Sequence, residues 1–338
     1  MLEVLNSVKE YFEKNKIPKF RYGQFENAYF KQGVSSFDEI TVFPKNLREE
    51  LEEEITFRKL KIIDTQKNND TVKFLFETVD KTYVEAVLMI YEKRKTLCVS
   101  SQIFCAMGCT FCATGANKFK RNLSTQEIIE QVLIASNYLR EEDDSRVTNV
   151  VYMGMGEPFA NYENVVSSIK ILNDSDYFNI GARHITVSTC GIVPKIDEFA
   201  GLGLQVRLAI SLHAPNDKLR SELMPINDTY PLAKLFAATN NFSQKTNKRV
   251  SFEYVLIKGI NDAKKEANEL VELLKGKLVH VNLLIYNPHE FAKFEKPDIK
   301  TVNNFKKILD ENHIECSIRK SLGDNIDGAC GQLSGKKK

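Results

Sequence analysis

Thr96-Leu97-Cys98-Val99-Ser100-Ser101-Gln102-Ile103-Phe104-Cys105-Ala106-Met107-Gly108-Cys109-Thr110-Phe111-Cys112 decides how this chain is read. Its opening residues are short and apolar and read as the end of a strand. A loop follows at once, with three cysteines spaced C-x3-C-x2-C around Gly108. Beyond that loop the pattern alternates between strand and helix. TNVVYMGM (148–155) precedes a helix near 161–173, and HITVST (184–189) precedes one near 194–200. QVRLAIS precedes PLAKLFAATNNF, VSFEYVLI precedes KKEANELVELLKG, and LVHVNLLIY precedes VNNFKKILDEN. Such alternation argues for parallel strands joined by helical crossovers. Five or six units predict an α/β fold, a full or partial (β/α)6-type barrel with its chemistry at the C-terminal strand ends.

On the N-terminal side, LEVLNSVKEYFEKN, KFRYGQFENAYFKQGV and PKNLREELEEEI read as helices, the last with Pro44 in its first turn. Residues 58–97 read as strands joined by turns such as Lys67-Asn68-Asn69-Asp70. The expected organisation is therefore a helical accessory module over 1–57, a β-rich extension over 58–97 and a core over 98–290. A helix, a strand and a mobile, cysteine-bearing tail over 291–338 complete it, ending on Lys336-Lys337-Lys338.

At 338 residues and 43% hydrophobic content the chain can bury one large core and a smaller module. A net charge of only +2 means that any nucleic-acid contact must come from local basic clusters, such as Lys93-Arg94-Lys95 and Lys118-Phe119-Lys120-Arg121. No run has the length of a membrane span, and the first residues lack a signal-peptide pattern. The seven cysteines are unevenly spaced and odd in number, which argues against a disulfide framework. A cytoplasmic protein with reduced thiols is expected.

Three thiolates converging from one tight loop suit a cubane iron–sulfur cluster and leave its fourth iron open. A structural zinc would want a further C-x2-C or His pair, which is absent from the sequence. The second core strand ends in Tyr152-Met153-Gly154-Met155-Gly156-Glu157-Pro158, whose glycines allow close approach and whose carboxylate can accept from an ammonium group. An ordinary strand-end turn would read the same way. Ser188-Thr189-Cys190-Gly191, Ser211-Leu212-His213 and Tyr286-Asn287-Pro288 end further strands and can share one pocket or act as helix caps. Cys330 sits in a glycine-rich tail, accessible as a nucleophile or an incidental free thiol. Cys98 reads as core, and Glu85 as an ordinary strand residue.

The cysteine spacing behind a strand at the head of a βα series resembles the radical SAM superfamily. TLCVSSQ-x2-C-x3-C-x2-CATG, GMGEP, STCGIVP, SLHAPND, MPIN, NP and RK-x2-GD-x-IDGACGQL then occur in this order. Over roughly residues 80–335 the chain resembles the RlmN/Cfr family of radical SAM adenine methyltransferases acting on 23S ribosomal RNA. The resemblance implies a [4Fe–4S] cluster on Cys105, Cys109 and Cys112. It implies an S-adenosylmethionine site lined by Gly156, Glu157, Ser188, Ser211, Leu212, His213 and Asn287. Cys330 would carry a methyl group as S-methylcysteine, Cys98 would resolve the enzyme–RNA adduct, and Glu85 would accept the ring proton. Two molecules of S-adenosylmethionine are consumed per turnover, and an electron donor and a disulfide reductant are needed. The helical N-terminus is then an RNA contact. RlmN types methylate C2, some acting also on transfer RNA, while Cfr types methylate C8 and confer antibiotic resistance. SLHAPND and RKSLGDNID favour C2, although Cys190 replaces the usual Ser and LLIYNPHEF leans towards Cfr. A radical SAM enzyme acting on a peptide or metabolite would leave Cys98 and Cys330 without a shared role. An iron–sulfur RNA-binding protein would consume no S-adenosylmethionine.

Overall fold

The computed structural model describes residues 2–319 and 321–335; Lys336, Lys337 and Lys338, the basic end of the tail, lie outside the described residues. The chain opens with α1 (Glu3–Lys14), α2 (Phe20–Asn27) and α3 (Lys45–Glu54). One π-helical turn, Ala28–Gln32, extends α2, and Gly33 stops it in the left-handed region at φ 72°. Pro44 sits at the N-cap of α3, one place ahead of the expected first turn. Phe25, Tyr29, Phe37 and Phe57 pack ring against ring and give these short helices a common apolar centre.

Four antiparallel strands follow: β1 (Leu60–Asn68), β2 (Thr71–Thr78), β3 (Tyr83–Tyr91) and β4 (Arg94–Val99). β4 also begins the parallel part of the same sheet. A two-residue ladder, β5 (Gln102–Ile103) with β6 (Arg121–Asn122), brackets the cysteine loop. Then come α4 (Thr125–Asp143), β7 (Asn149–Tyr152), α5 (Tyr162–Asn173), β8 (Ile185–Thr189), α6 (Val193–Ala200) and β9 (Arg207–Ser211). After α7 (Asp217–Leu223) and α8 (Leu232–Thr246) the series continues with β10 (Val250–Leu256), α9 (Lys264–Leu274), β11 (Val279–Ile285), α10 (Ile299–Glu311) and β12 (Cys316–Arg319).

The ten strands of the main sheet run in the order β1-β2-β3-β4-β7-β8-β9-β10-β11-β12, every neighbour from β4 onward being parallel. Sequential order with helical crossovers is barrel connectivity, and the two edges β1 and β12 leave the barrel open. Six strand–helix units, from β4 to α10, form the α/β partial barrel expected of the sequence.

Helix α4 is absent from the strand–helix pairs read in the sequence, although Ser124 and Glu127 form a reciprocal capping box at its start. It is the seam to the N-terminal helices. Glu130, fully buried, accepts from the backbone N–H groups of Lys59 and Leu60, both at 2.8 Å, and Gln126 accepts from Val4 N–H at 2.9 Å. Among the described residues no helix is long and apolar enough to cross a membrane.

Candidate active site

Residues from the C-terminal ends of the parallel strands meet around a cavity of about 230 Å³. Its walls hold Cys105, Cys109 and Cys112 from the loop after β4, Gly156 and Glu157 after β7, and Ser188 at the end of β8. Ser211 ends β9 and His213 follows it, Asn287 comes from beyond β11, and Cys98 and Cys330 complete the set. Two predicted residues stand outside the lining. Leu212 is fully buried and donates its N–H to the Glu253 carbonyl. Glu85 is also buried and turns to the C-terminal tail.

The cysteine loop is held from several sides. Thr110 N–H donates to the Leu223 carbonyl at 3.0 Å, Ala113 N–H to the Gly331 carbonyl at 2.8 Å, and His289 Nε2 lies 3.0 Å from the Phe111 carbonyl. Gly108 (φ 66°) makes the left-handed turn between the first two thiols. Burial pushes the Cys105 thiol up to about 12 and Cys109 well above its ordinary range, and the neighbouring loop thiols add to both. Ionising these two there requires a cation-rich group beside them. Among the described residues no His, Cys, Asp or Glu trio closes on a single metal ion. Three soft donors spread around a cavity fit a multi-iron group.

Beside them the Gly-Met-Gly-Glu turn packs without spare room. A Cβ on Gly156, whose φ is +102°, would come within 2.5 Å of Gln102 Cβ, so only glycine fits. Glu157 Oε2 accepts from Cys190 N–H at 2.7 Å and Oε1 from Phe159 N–H at 2.9 Å, while burial raises its pKa. His213 sits at φ 59° with Nδ1 accepting from Val255 N–H at 3.0 Å. Burial, reinforced by Arg220, lowers its pKa to about 3 and keeps the ring neutral.

Sequence reasoning passed over three charged groups here. Arg220, 1% exposed, donates through Nη2 to the carbonyls of Cys190 (2.7 Å) and Ser211 (3.1 Å). Its Nε donates to the Leu212 carbonyl (3.2 Å) and Nη1 to Asn227 Oδ1 (2.9 Å). It ties the ends of β8 and β9 to the Met-Pro-Ile-Asn turn. Its only sequence signal was a lone Arg just ahead of that turn. Glu253 on β10 and Arg319 on β12 face the cavity as an ion pair, Arg319 Nη1 lying 3.5 Å from Glu253 Oε2. Glu253 was legible as a single acid inside the apolar run Val-Ser-Phe-Glu-Tyr-Val-Leu.

Cys330 and Cys98 face the same space. Cys330 is accessible from the cavity, yet the surrounding protein raises its pKa to about 11 against the pull of Arg319. Burial raises Cys98 to about 12, and Cys330 adds to that rise. The segment around Cys330 is hydrogen-bonded to the barrel in this structure. Asn287 Nδ2 reaches the Cys330 carbonyl at 3.4 Å, Gln332 Nε2 reaches the Pro288 carbonyl at 3.2 Å, and Thr114 Oγ1 donates to the Leu333 carbonyl at 2.7 Å.

The candidate phosphate contacts divide. Lys93, Arg94, Lys118 and Lys120 are exposed. Arg121 is forked between Asp80 and Glu127, both at 2.8 Å, and Lys95 pairs with Asp143 at 3.0 Å, so neither presents an uncommitted charge.

Residues 99–274 match the sequence profile of the Radical SAM superfamily. The chain is 43% identical over 331 residues to a probable dual-specificity RNA methyltransferase RlmN of Clostridium novyi (strain NT), covering 97% of this chain and 95% of that one. It is 46% identical over 323 residues to the protein of the same name from Enterococcus faecalis (strain ATCC 700802 / V583), covering 94% and 90%. A radical SAM methyltransferase from Sphaerobacter thermophilus superposes with a TM-score of 0.94 at 43% identity, over 98% of each chain. Streptococcus suis SuiB bound to S-adenosylmethionine shares the fold, with a TM-score of 0.50 at 15% identity over 66% of this chain and half of that one.

Proposed function

Because this chain belongs to the radical SAM superfamily, and within it to the RlmN-type RNA methyltransferases, it uses a [4Fe–4S] cluster and S-adenosylmethionine, and we propose that it methylates C2 of an adenine in 23S ribosomal RNA. One observation carries the reading: Cys98 and Cys330, remote in sequence, face one cavity with the three loop cysteines.

In this reading Cys105, Cys109 and Cys112 hold the cluster. Gly156, Glu157, Ser188, Ser211, His213 and Asn287 contact S-adenosylmethionine, and Leu212 shapes the wall behind them. When bound, the pair supplies methyl groups and a one-electron route to a hydrogen-abstracting radical. The residues do the rest. C2 of adenine is electrophilic and cannot attack a methyl sulfonium, so Cys330 sulfur takes the methyl first. After loss of one hydrogen atom, the carbon on Cys330 bonds to C2, and the unpaired electron this leaves on the ring would depart by the one-electron route that the cluster supplies. The Glu85 carboxylate takes the ring proton. Cys98 thiolate then attacks Cys330 sulfur, the sulfur–carbon bond breaks towards the base, and protonation leaves the methylated adenine. The Cys98–Cys330 disulfide that remains is reset by an external dithiol.

The target base has to be unstacked or single-stranded to enter. The exposed Lys93, Arg94, Lys118 and Lys120, with the N-terminal helices, are the proposed RNA contacts, and transfer RNA is a second substrate. The cytoplasm supplies these RNAs, the electron donor and the reductant. The test is to treat ribosomal RNA with the enzyme, digest it and separate 2-methyladenosine from 8-methyladenosine. 2-Methyladenosine with a methyl on Cys330 supports the reading. 8-Methyladenosine would move the chain to Cfr-type chemistry, and a Cys330 that never carries carbon would end the mechanism.

A further inference from the structure

Apart from Glu85, the extension β1–β3 has no part in the chemistry just described, and it carries a buried ion pair beside the tail. Lys73 on β2 and Glu85 on β3 are 5% and 2% exposed, with Nζ and Oε1 3.3 Å apart. Among the described residues, their other side-chain hydrogen bonds go to the C-terminal segment. Glu85 Oε2 accepts from the backbone N–H groups of Ser334 and Gly335, both at 2.8 Å. Lys73 Nζ reaches the Asp327 carbonyl at 3.5 Å. These contacts fall on both sides of Cys330. Nearby, Asn68 Nδ2 donates to Asn325 Oδ1 at 2.7 Å, and a Cβ on Gly323 would come within 2.9 Å of Thr71 Cγ2. The hairpin β1–β2 and strand β3 are therefore the berth of the tail.

We propose that Lys73 is a positioning residue which, through Glu85, clasps the Cys330 segment at both ends; the proposal rests on the reading of Cys330 as methyl carrier. A buried ammonium–carboxylate pair is costly to open on one side only, because the abandoned charge stays in low dielectric. The clasp consequently holds the segment by two backbone N–H groups and one carbonyl, contacts that do not depend on the tail's side chains. It also gives Glu85 two exclusive duties. With the tail docked three donors occupy its carboxylate. Withdrawal of Ser334 and Gly335 frees Oε2 for a ring proton, which couples tail movement to proton removal.

The test compares full-length, cluster-loaded wild type with Lys73→Met, Lys73→Arg and Ser334→Pro. The last removes one clasp donor and leaves the barrel untouched. Iodoacetamide labelling of Cys330 is timed by peptide mass spectrometry, with Cys316 on β12 as internal reference. Lys73→Met and Ser334→Pro should each speed Cys330 labelling about tenfold relative to Cys316, and Lys73→Arg should stay near wild type. Cys330 labelling within twofold of wild type in both Lys73→Met and Ser334→Pro overturns the clasp. Failure of the underlying mechanism reads separately, as wild-type protein whose Cys330 is never methylated while the labelling contrast persists.

Discussion

Replacing Arg220 by methionine tests whether the pocket is organised by one buried cation. The substitution keeps the apolar stem about as far as Nε and removes the guanidinium. Four contacts are lost, to the carbonyls of Cys190, Ser211 and Leu212 and to Asn227 Oδ1. Bonds from a charged donor contribute about 1.5 kcal/mol each, so the gross loss is about 6 kcal/mol. Against that stands the desolvation of a guanidinium that none of these acceptors neutralises. Burial already lowers its pKa, and relieving that strain returns about half of the loss. The net destabilisation is about 3 kcal/mol. In a chain of this size each kilocalorie lowers the melting temperature by about 2 °C, giving a fall of about 6 °C. Arg220→Lys keeps the charge and reaches two acceptors at best, so it should fall about half as far. Because the anchored carbonyls end β8 and β9, half-saturation by S-adenosylmethionine should rise more than the rate at saturation falls. The assay is a thermal scan of anaerobic, cluster-loaded protein with a substrate titration. A melting temperature within about 1 °C of wild type, or a lysine variant below the methionine one, would refute the argument.

His213 makes a prediction for acid stability. Its folded pKa, about 3, lies below the unfolded value near 6.5, so between the two the unfolded chain binds more protons. Its contribution is complete above about pH 6.5 and fades as pH falls towards 3, with a slope up to about 1.4 kcal/mol per pH unit, which His213→Gln should remove from the melting-temperature profile. Gly156→Ala should cost about 3 kcal/mol by thermal scan, since the new methyl meets the Gln102 backbone and side chain at a φ reserved for glycine. A loss below 1 kcal/mol would mean that the Gln102 segment yields freely. Arg319→Gln should slow iodoacetamide labelling of Cys330 about tenfold at fixed pH, because Arg319 lowers that thiol's pKa and Glu253 opposes it. An unchanged rate would remove Arg319 from thiol control.

The strand–loop signature at 96–112 and the βα rhythm behind it were readable because each is local. Strand period, turn residues and three clustered thiols all lie within a few residues of one another. Helix α4 escaped although Ser124 and Glu127 announce it, because buried Gln126, Glu127, Glu130 and Gln131 blur its apolar stripe. Arg220 could not be read at all. Its role needs carbonyls from β8 and β9 in one place, and an arginine in sequence looks the same whether it faces water or a strand end. Glu85 shows the same limit from the other side. Its neighbours in the sequence make it a strand residue, and only the fold brings Ser334 and Gly335 to its carboxylate.

In the proposed mechanism Cys98 and Cys330 must not join before a methyl group has been delivered, and the surrounding protein meets this by raising both thiols. With Cys330 raised to about 11 and Cys98 to about 12, both stay protonated at neutral pH, and a protonated thiol is a poor nucleophile towards sulfur or carbon. The same surroundings would make Cys330 slow towards S-adenosylmethionine in that mechanism unless something restores the thiolate. The sulfonium itself is the fitting agent: it brings a positive charge into a cavity where Arg319 already favours the charged form of both thiols. An added cation favours the charged form of a thiol, so the pKa of Cys330 should fall when the sulfonium is bound. The prediction is a difference between two pH profiles. Iodoacetamide labelling of Cys330 in the absence of S-adenosylmethionine should rise towards about pH 11. Single-turnover transfer of an isotopically labelled methyl to Cys330 should level off about one pH unit lower or more. Coincident profiles, or methyl transfer levelling off at the higher pH, would show that the sulfonium does not activate its own acceptor and that an unrecognised base in the cavity does.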